Sequence, residues 1–230
     1  MQKIVVLTGA GMSAESGIST FRDTNGLWEN HRVEDVASPE GWLRNPELVL
    51  NFYNIRRRQL KEVEPNTAHL SLVRLEKKFD LQIITQNVDN LHERAGSSKV
   101  LHLHGELTKV RSTGDPRLIY EWDHDLNLGD KCQKGFQLRP HIVWFSEEVP
   151  NISIAAKYCN DADILIIIGT SMQVYPAASL LAYSRLDSKI YFVDPSPNLS
   201  FGVHNFPNLE VIRATAGEGV PMLVETLLKH

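Results

Sequence analysis

The chain has 230 residues, enough for one α/β domain with a core of ordinary size. A formal net charge of −4 and a pI near 6.1 leave no basic excess of the kind that wraps a nucleic acid. Two cysteines, Cys132 and Cys159, cannot build the disulfide framework of a small secreted protein, and no apolar run approaches the roughly 18 residues of a membrane span. The N-terminus enters a strand by residue 4, which leaves no room for a signal peptide, so a reducing cytoplasm is the expected home.

Ile4-Val5-Val6-Leu7 is a branched apolar run without alternation, the habit of a parallel strand buried on both faces. Gly9, Gly11 and Ala14 follow with the G-x-G-x-x-A spacing that, after a strand, brings backbone close to a pyrophosphate. No acidic ribose hook ends a second strand about 20 residues later, as it does in an ordinary dehydrogenase. The chain instead runs through Ser16, Gly17, Ile18, Ser19, Thr20, Phe21, Arg22 and Asp23, too polar and glycine-broken for a long helix. It reads as a loop over a phosphate-bearing ligand, with Arg22 as the cation.

Residues 31–63 read as a helical insertion, with Pro39 and Pro46 near helix starts and an apolar stripe of Leu48, Val49, Phe52, Ile55 and Leu60. Pro65-Asn66-Thr67 caps a helix that shows Ala68, Leu72, Leu75 and Phe79 on one face. Leu81 to Thr85 and Val100 to Leu103 are further buried strands. Residues 109–140 are polar and punctuated by Gly114, Pro116, Gly129 and Gly135, which predicts loops. Asp163 to Gly169 is the strongest strand signal, Pro176 to Tyr183 a helix, Lys189 to Val193 and Leu209 to Ile212 strands, and Gly219 to Leu228 a closing helix. This alternation implies an α/β fold: a doubly wound, parallel, Rossmann-like sheet in one domain over residues 1–230, with 31–63 and 109–140 forming a small second module.

Three places hold candidate chemistry. Gln86-Asn87-Val88-Asp89 begins where a strand ends, the usual place for ligand contacts in such sheets, although Asn87 or Asp89 could equally cap the next helix. His102 and His104 lie two apart on one strand face, which could suggest a metal pair, but no third ligand stands at useful spacing and a strand-end histidine is more often structural than catalytic. Tyr53 and Arg56 are at i, i+3 on one helix face and can reach the same spot; the bland alternative is a solvated face beside Arg57 and Arg58.

The stretch Gly9 to Arg22, then Thr85 to His92, Leu103-His104-Gly105, Arg139 to Phe145 and Gly169-Thr170-Ser171 together resemble, in order, the motifs of sirtuins, NAD-dependent protein-lysine deacylases. The resemblance implies NAD consumed as a co-substrate, with nicotinamide, O-acyl-ADP-ribose and free lysine as products. It implies that His104 is the general base, that Asn87 and Asp89 bind the nicotinamide carboxamide, and that Gln86 orients the ribose. The cofactor would touch Gly9, Ala10, Gly11, Ser13, Ala14, Gly17, Ile18, Phe21 and Arg22, then Gly169, Thr170, Ser171, Asp194 and Ala216. An acyl-lysine protein or peptide would thread past Val143 and Phe145 in an extended strand. Ala37, Tyr53 and Arg56 resemble the subgroup that removes succinyl and malonyl groups: a small side chain leaves room, and a phenol and a guanidinium recognise the terminal carboxylate.

The chain departs from the family pattern at three points. The family carries two C-x-x-C pairs around a zinc, whereas this chain has Arg111-Ser112-Thr113-Gly114-Asp115 at the first place and Cys132 followed by Gly135 at the second, so no zinc is expected. Leu118, Ile119, Tyr120 and Trp122 would then hold that segment as an apolar cluster. Ser146 stands where the family has glycine. Asp194 replaces a frequent asparagine, and its carboxylate would accept from ribose hydroxyls and reject a 2′-phosphate, favouring NAD over NADP. Two other functions fit the same scaffold: ADP-ribose transfer to protein, and a catalytically silent NAD sensor. A monomer without nucleic-acid or membrane partners is expected.

Overall fold

The computed structural model describes residues 1–18, 27–28, 31–172, 175–198 and 206–229. Strand β1 (Lys3–Thr8) leads into two single 3₁₀ turns, Ala10–Met12 and Ala14–Ser16, and up to residue 18 no long helix follows the glycine turn. A short antiparallel pair, β2 (Leu27–Trp28) and β3 (His31–Arg32), precedes α1 (Val33–Val36), α2 (Pro39–Arg44) and α3 (Pro46–Leu60). Both prolines open their helices, and the Ser38 and Asn45 side chains accept from the third helical N–H, as a missing proline donor and a side-chain cap together favour. α4 (Thr67–Leu75) starts on a reciprocal cap between Asn66 and His69. Then come β4 (Asp80–Thr85), α5 (Leu91–Ala95), β5 (Val100–His102), β6 (Gly105–Ser112), β7 (Ile119–Glu121) and β8 (Leu138–Ile142). The chain closes with α6 (Ile152–Asp161), β9 (Ile164–Ile168), a 3₁₀ segment Ala177–Tyr183, β10 (Lys189–Val193), β11 (Leu209–Ile212) and α7 (Ala216–Lys229).

Six strands form one sheet in the order β11-β10-β9-β1-β4-β5, and every pairing in it is parallel. Alternate side chains of β1 serve opposite layers. Ile4 and Val6 join Leu72, Leu75, Val220 and Leu223 from α4 and α7, while Val5 and Leu7 join Ala155, Cys159, Leu180 and Leu181 from the other side. Burial on both faces is why these strands are apolar without alternation. The chain moves outward from β1 to β4 and β5, then returns to β9 on the opposite flank, so the strand order reverses between β1 and β9. Ligands of open parallel sheets bind in the crevice at such a point.

Glycine is required at that reversal. Gly9 N–H donates to Ile168 O at 3.0 Å and Gly11 N–H to Gly169 O at 2.8 Å. A Cβ on Gly9 would stand 2.8 Å from Gly169 O, and one on Gly11 2.7 Å from Gly169 Cα. Gly169 itself has φ +58°. The spacing read as a pyrophosphate cradle therefore first serves to let two loops cross in contact.

Residues 109–140, expected to be loop-rich, also contribute strands. β6 begins at Gly105 and runs to Ser112, pairing antiparallel with β7 and β8, so the segment is a three-stranded sheet and not loop alone. Its core joins Val110, Leu126, Cys132 and Leu138 to Leu50, with Leu118, Tyr120 and Trp122 packed on it; Ile119 points out at 44 % exposure. On α3 the stripe also differs: Ile55 is exposed, and Tyr53, Asn54 and Arg57 are buried instead. Arg57 is held by Leu107 O at 3.0 Å and Asn54 Oδ1 at 2.7 Å, and burial lowers it to about 10. α7 starts at Ala216, before Gly219, because Glu15 Oε2 accepts from Gly217 N–H at 2.6 Å and so caps it from afar.

Two outcomes test these backbone constraints. Gly11→Ala should destabilise the fold by about 3 kcal/mol, the upper end for overpacking against immovable backbone, read by chemical denaturation. Ser146 is exposed at φ 71°, a conformation that costs a β-carbon roughly 1 kcal/mol, so Ser146→Gly should stabilise by about that amount in the same assay.

Candidate functional site

The carboxyl ends of β1, β4, β5 and β9 meet around Gly9, Gln86, His104 and Gly169. Ser13 reaches back from the first 3₁₀ turns and donates to Asp89 Oδ2 at 2.9 Å, and the Asn87 amide donates to Ser13 Oγ and Gly9 O, both at 3.1 Å. Ser13, Asn87 and Asp89 are all buried. Asp89 Oδ1 also accepts from Leu91 N–H at 3.1 Å, so the capping reading holds for Asp89, whereas Asn87 ties the loop to the glycine turn. Burial raises the Asp89 carboxyl above its ordinary range against the hydrogen bonds of Leu91 and Ser13.

Gln86 spans the reversal: its amide donates to Thr170 Oγ1 at 3.1 Å. Its carbonyl lies 3.0 Å from His104 Nδ1. A carbonyl only accepts, so Nδ1 carries the hydrogen and Nε2 keeps its lone pair. Burial lowers His104 below the usual imidazole value, with the Gln86 carbonyl acting the other way. The ring is therefore neutral and basic at one nitrogen near neutral pH, the state a general base needs.

The other expected residues fall in several places. Thr170 is buried and Ser171 half-buried at the exit of β9. Asp194 is buried after β10, where its Oδ1 accepts from Ser196 N–H at 2.8 Å. Ala216 packs into the core under α7, while Ala14 and Gly17 lie exposed. Phe21 and Arg22 lie outside the described residues. Val143 N–H donates to His104 O at 2.9 Å and Phe145 N–H to Ala37 O at 3.0 Å, which fixes the Val143–Phe145 segment beside His104 with Phe145 half exposed. Glu147 locks that turn, accepting from Trp144 N–H at 2.8 Å, Arg111 at 2.9 Å and both terminal nitrogens of Arg139 at 2.8 Å. Sequence reading quoted Arg111 and Arg139 only as motif positions and gave none of these three charges a role in the turn.

Tyr53 is wholly buried in one apolar cluster with Ala37, Val36, Phe52 and Trp144. Its hydroxyl accepts from Trp144 Nε1 at 3.1 Å, and burial pushes its ionisation far up, with the Arg139 and Arg56 charges opposing. Arg56 sits over the Phe52 ring at 3.8 Å and donates to Phe52 O at 2.9 Å. The pair is thus partly embedded, not a solvated face.

Two places bear on the metal expectations. His102 and His104 each face protein acceptors, and among the described residues no three His, Cys, Asp or Glu side chains converge as a metal site. In the small sheet the family's zinc does not fit the donors present. The thiol of Cys132 donates to Ser112 Oγ at 3.2 Å, and Asp115 is held by Lys134 at 2.8 Å and Arg117 at 2.9 Å, so cations already occupy its carboxylate. Cys159 is sealed in the core, where burial pushes its thiol up to about 12.

Comparison with known proteins agrees with this arrangement. The chain is 61 % identical over 195 residues to an NAD-dependent protein deacylase of Helicobacter pylori strain J99, covering 85 % of this chain and 83 % of the relative. It is 54 % identical over 234 residues to an NAD-dependent protein deacylase of Bacteroides thetaiotaomicron, covering 99 % of each. A solved Sir2 homologue in complex with NAD superposes with a TM-score of 0.87 at 39 % identity, covering 99 % of this chain and 90 % of that one. Another, bound to a myristoylated histone peptide, gives 0.74 at 31 % identity over 99 % of this chain and 91 % of that one. The Sir2 family profile matches residues 9–176, and with these relatives it places the chain in the Sir2 family.

Proposed function

We propose that the chain is an NAD-dependent protein-lysine deacylase, working on acyl-lysine proteins or peptides as one catalytic unit over residues 1–230, as a monomer in the cytoplasm. Among the described residues no helix is long and apolar enough to cross a membrane. The observation that carries the reading is His104, neutral and oriented by the Gln86 carbonyl, at the point where the Gly9–Gly11 turn, the Gln86–Asp89 loop and Gly169 converge. NAD, as consumed co-substrate, supplies the electrophilic sugar carbon and the ribose hydroxyls. The Gly9–Gly169 crossing holds the Ala10–Ser16 turns at the cleft to receive its phosphates, Asn87 and Asp89 offer both an amide and a carboxylate to a carboxamide, and Gln86 lies between them and Thr170. His104 Nε2 takes the proton of a ribose hydroxyl. Val143 and Phe145 line the approach of an extended peptide, and the loops exclude water from the reacting pair.

The acyl preference is read as extending from acetyl to succinyl and malonyl. Support comes from Ala37, Tyr53 and Arg56 sharing one corner of the helical module, where a phenol and a guanidinium stand close enough for the Arg56 charge to act on Tyr53. A bidentate carboxylate contact is worth most where water is scarce.

Purified protein with NAD and matched acetyl-, malonyl- and succinyl-lysine peptides, read by mass, should release nicotinamide only in step with deacylation. His104→Ala should lower kcat at least about 100-fold. Because the His104 pKa is lowered, activity should persist just below pH 6.5 and fall as the pH drops further. Arg56→Met should cut succinyl turnover about tenfold and spare acetyl; equal loss on both would remove the acyl assignment. Nicotinamide release without any acyl peptide, or ADP-ribose on protein, would replace deacylation by NAD hydrolysis or transfer. Metal analysis should find well under one zinc per chain, with melting insensitive to EDTA; stoichiometric zinc would overturn the expectation of no metal.

A further inference from the structure

His102 and His104 both hang on the Gln86–Asp89 loop, one residue apart along it. His104 Nδ1 meets Gln86 O at 3.0 Å and His102 Nδ1 meets Asn87 O at 3.2 Å. They differ at the other nitrogen. No described residue takes His104 Nε2, but His102 Nε2 lies 2.8 Å from Glu93 Oε1 on α5. A carbonyl and a carboxylate are both acceptors, and a neutral imidazole has a single N–H. Only the doubly protonated ring satisfies both contacts.

We propose that His102 is a positioning residue that acts as a standing imidazolium: it clamps the Asn87 carbonyl, and with it the Gln86–Asp89 loop, in the shape that receives the nicotinamide end of NAD, and it supplies the buried positive charge that Asp89 faces. The assignment rests on the NAD-binding role read above for that loop.

The surroundings support the charge. Burial opposes it, but the hydrogen bond and charge of Glu93, then Glu106 on β6 and the Asn87 carbonyl, outweigh burial and raise His102 above the ordinary imidazole value. Glu93, also penalised by burial, is nonetheless held below its usual range by the His102 hydrogen bond and charge, helped by Lys109. His102 lowers Asp89 against the burial that raises it, while Glu93 acts the opposite way there. His92, wholly buried on α5, is kept neutral chiefly by burial, with the His102 charge acting the same way, and burial lowers its neighbour His69 on α4 to about 4. Since the folded pKa is raised, the stabilisation is complete below pH 6.5 and is lost as pH rises through the raised value.

The decisive measurements use the full chain. In uniformly ¹⁵N-labelled protein at pH 7.5, the two His102 ring nitrogens, assigned by their loss in His102→Gln, should both resonate as protonated; one protonated and one bare nitrogen would overturn the proposal. In the pH profile of kcat/KM for NAD at saturating acyl peptide, the wild type should show an alkaline limb. Glu93→Gln, which keeps an acceptor oxygen and the ring, should move that limb down by at least half a pH unit and leave the acid limb of His104 in place. An alkaline limb unmoved in Glu93→Gln would also overturn it. His102→Gln, where folded, should raise KM for NAD about tenfold with kcat within about threefold; the reverse split would count against positioning. A wild type without NAD-dependent deacylation would sink the functional reading alone, because the ring's protonation is read without substrate.

Discussion

Backbone against backbone at the end of β1 sets the shape of everything near the cleft. Neither Gly9 nor Gly11 can carry a side chain without driving it into Gly169 or Thr170. The two N–H bonds across this contact tie the exits of β1 and β9 together, so the turn after β1 cannot spread into a helix. Ser13 is thereby brought over the end of β4, where it links Asn87 to Asp89. Without that crossing the polar cluster would have no lid, and three buried polar groups would lose their partners, each at a cost of about 1–3 kcal/mol.

A second group of polar contacts does for the Val143–Ser146 turn what the glycines do for the turn after β1. The Val143–Ser146 turn leaves β8 without ladder partners, yet Glu147 gathers a backbone N–H and two guanidiniums and so holds the turn. Arg139 also stacks on Trp144 at 3.5 Å, and Trp144 in turn donates to Tyr53. A continuous chain of contacts thus joins the Val143–Phe145 segment to the buried Tyr53 cluster. The strained φ of Ser146 persists because this network determines the turn from both sides.

Local pattern sufficed where a segment's partners lie in its own periodicity. Ile4 to Leu7 and Ile164 to Ile168 are buried on both faces and read as strands from composition alone. Pro39, Pro46 and Asn66 mark helix starts through their own backbone chemistry. The failures share one cause, a partner distant in sequence. Arg57 looks like one of three surface cations until Leu107, 50 residues away, accepts from it. β6 is obscured because its inward positions alternate with Lys109 and Arg111, whose charges are answered by Glu106 and Glu147. α7 begins earlier than its own residues suggest because Glu15, 202 residues upstream, caps it. At the site, the residue types of Gln86 to Asp89 and His104 were legible; which nitrogen of which ring holds a proton was not, since that depends on the acceptors each ring meets.

The two histidines show how far such acceptors matter. They stand two apart, His102 ending β5 and His104 in the bend before β6, contact adjacent carbonyls of one loop, and are similarly enclosed, yet on the proposal above their charges differ. Burial alone would make both neutral. Glu93 is half exposed, so its own charge costs little to keep, and at 2.8 Å it makes the second proton of His102 favourable. Among the described residues His104 meets no carboxylate, and burial keeps it neutral. On the proposed roles, a base that must accept a proton and a clamp that must not release one are made from the same side chain two residues apart, distinguished by a single acceptor on α5.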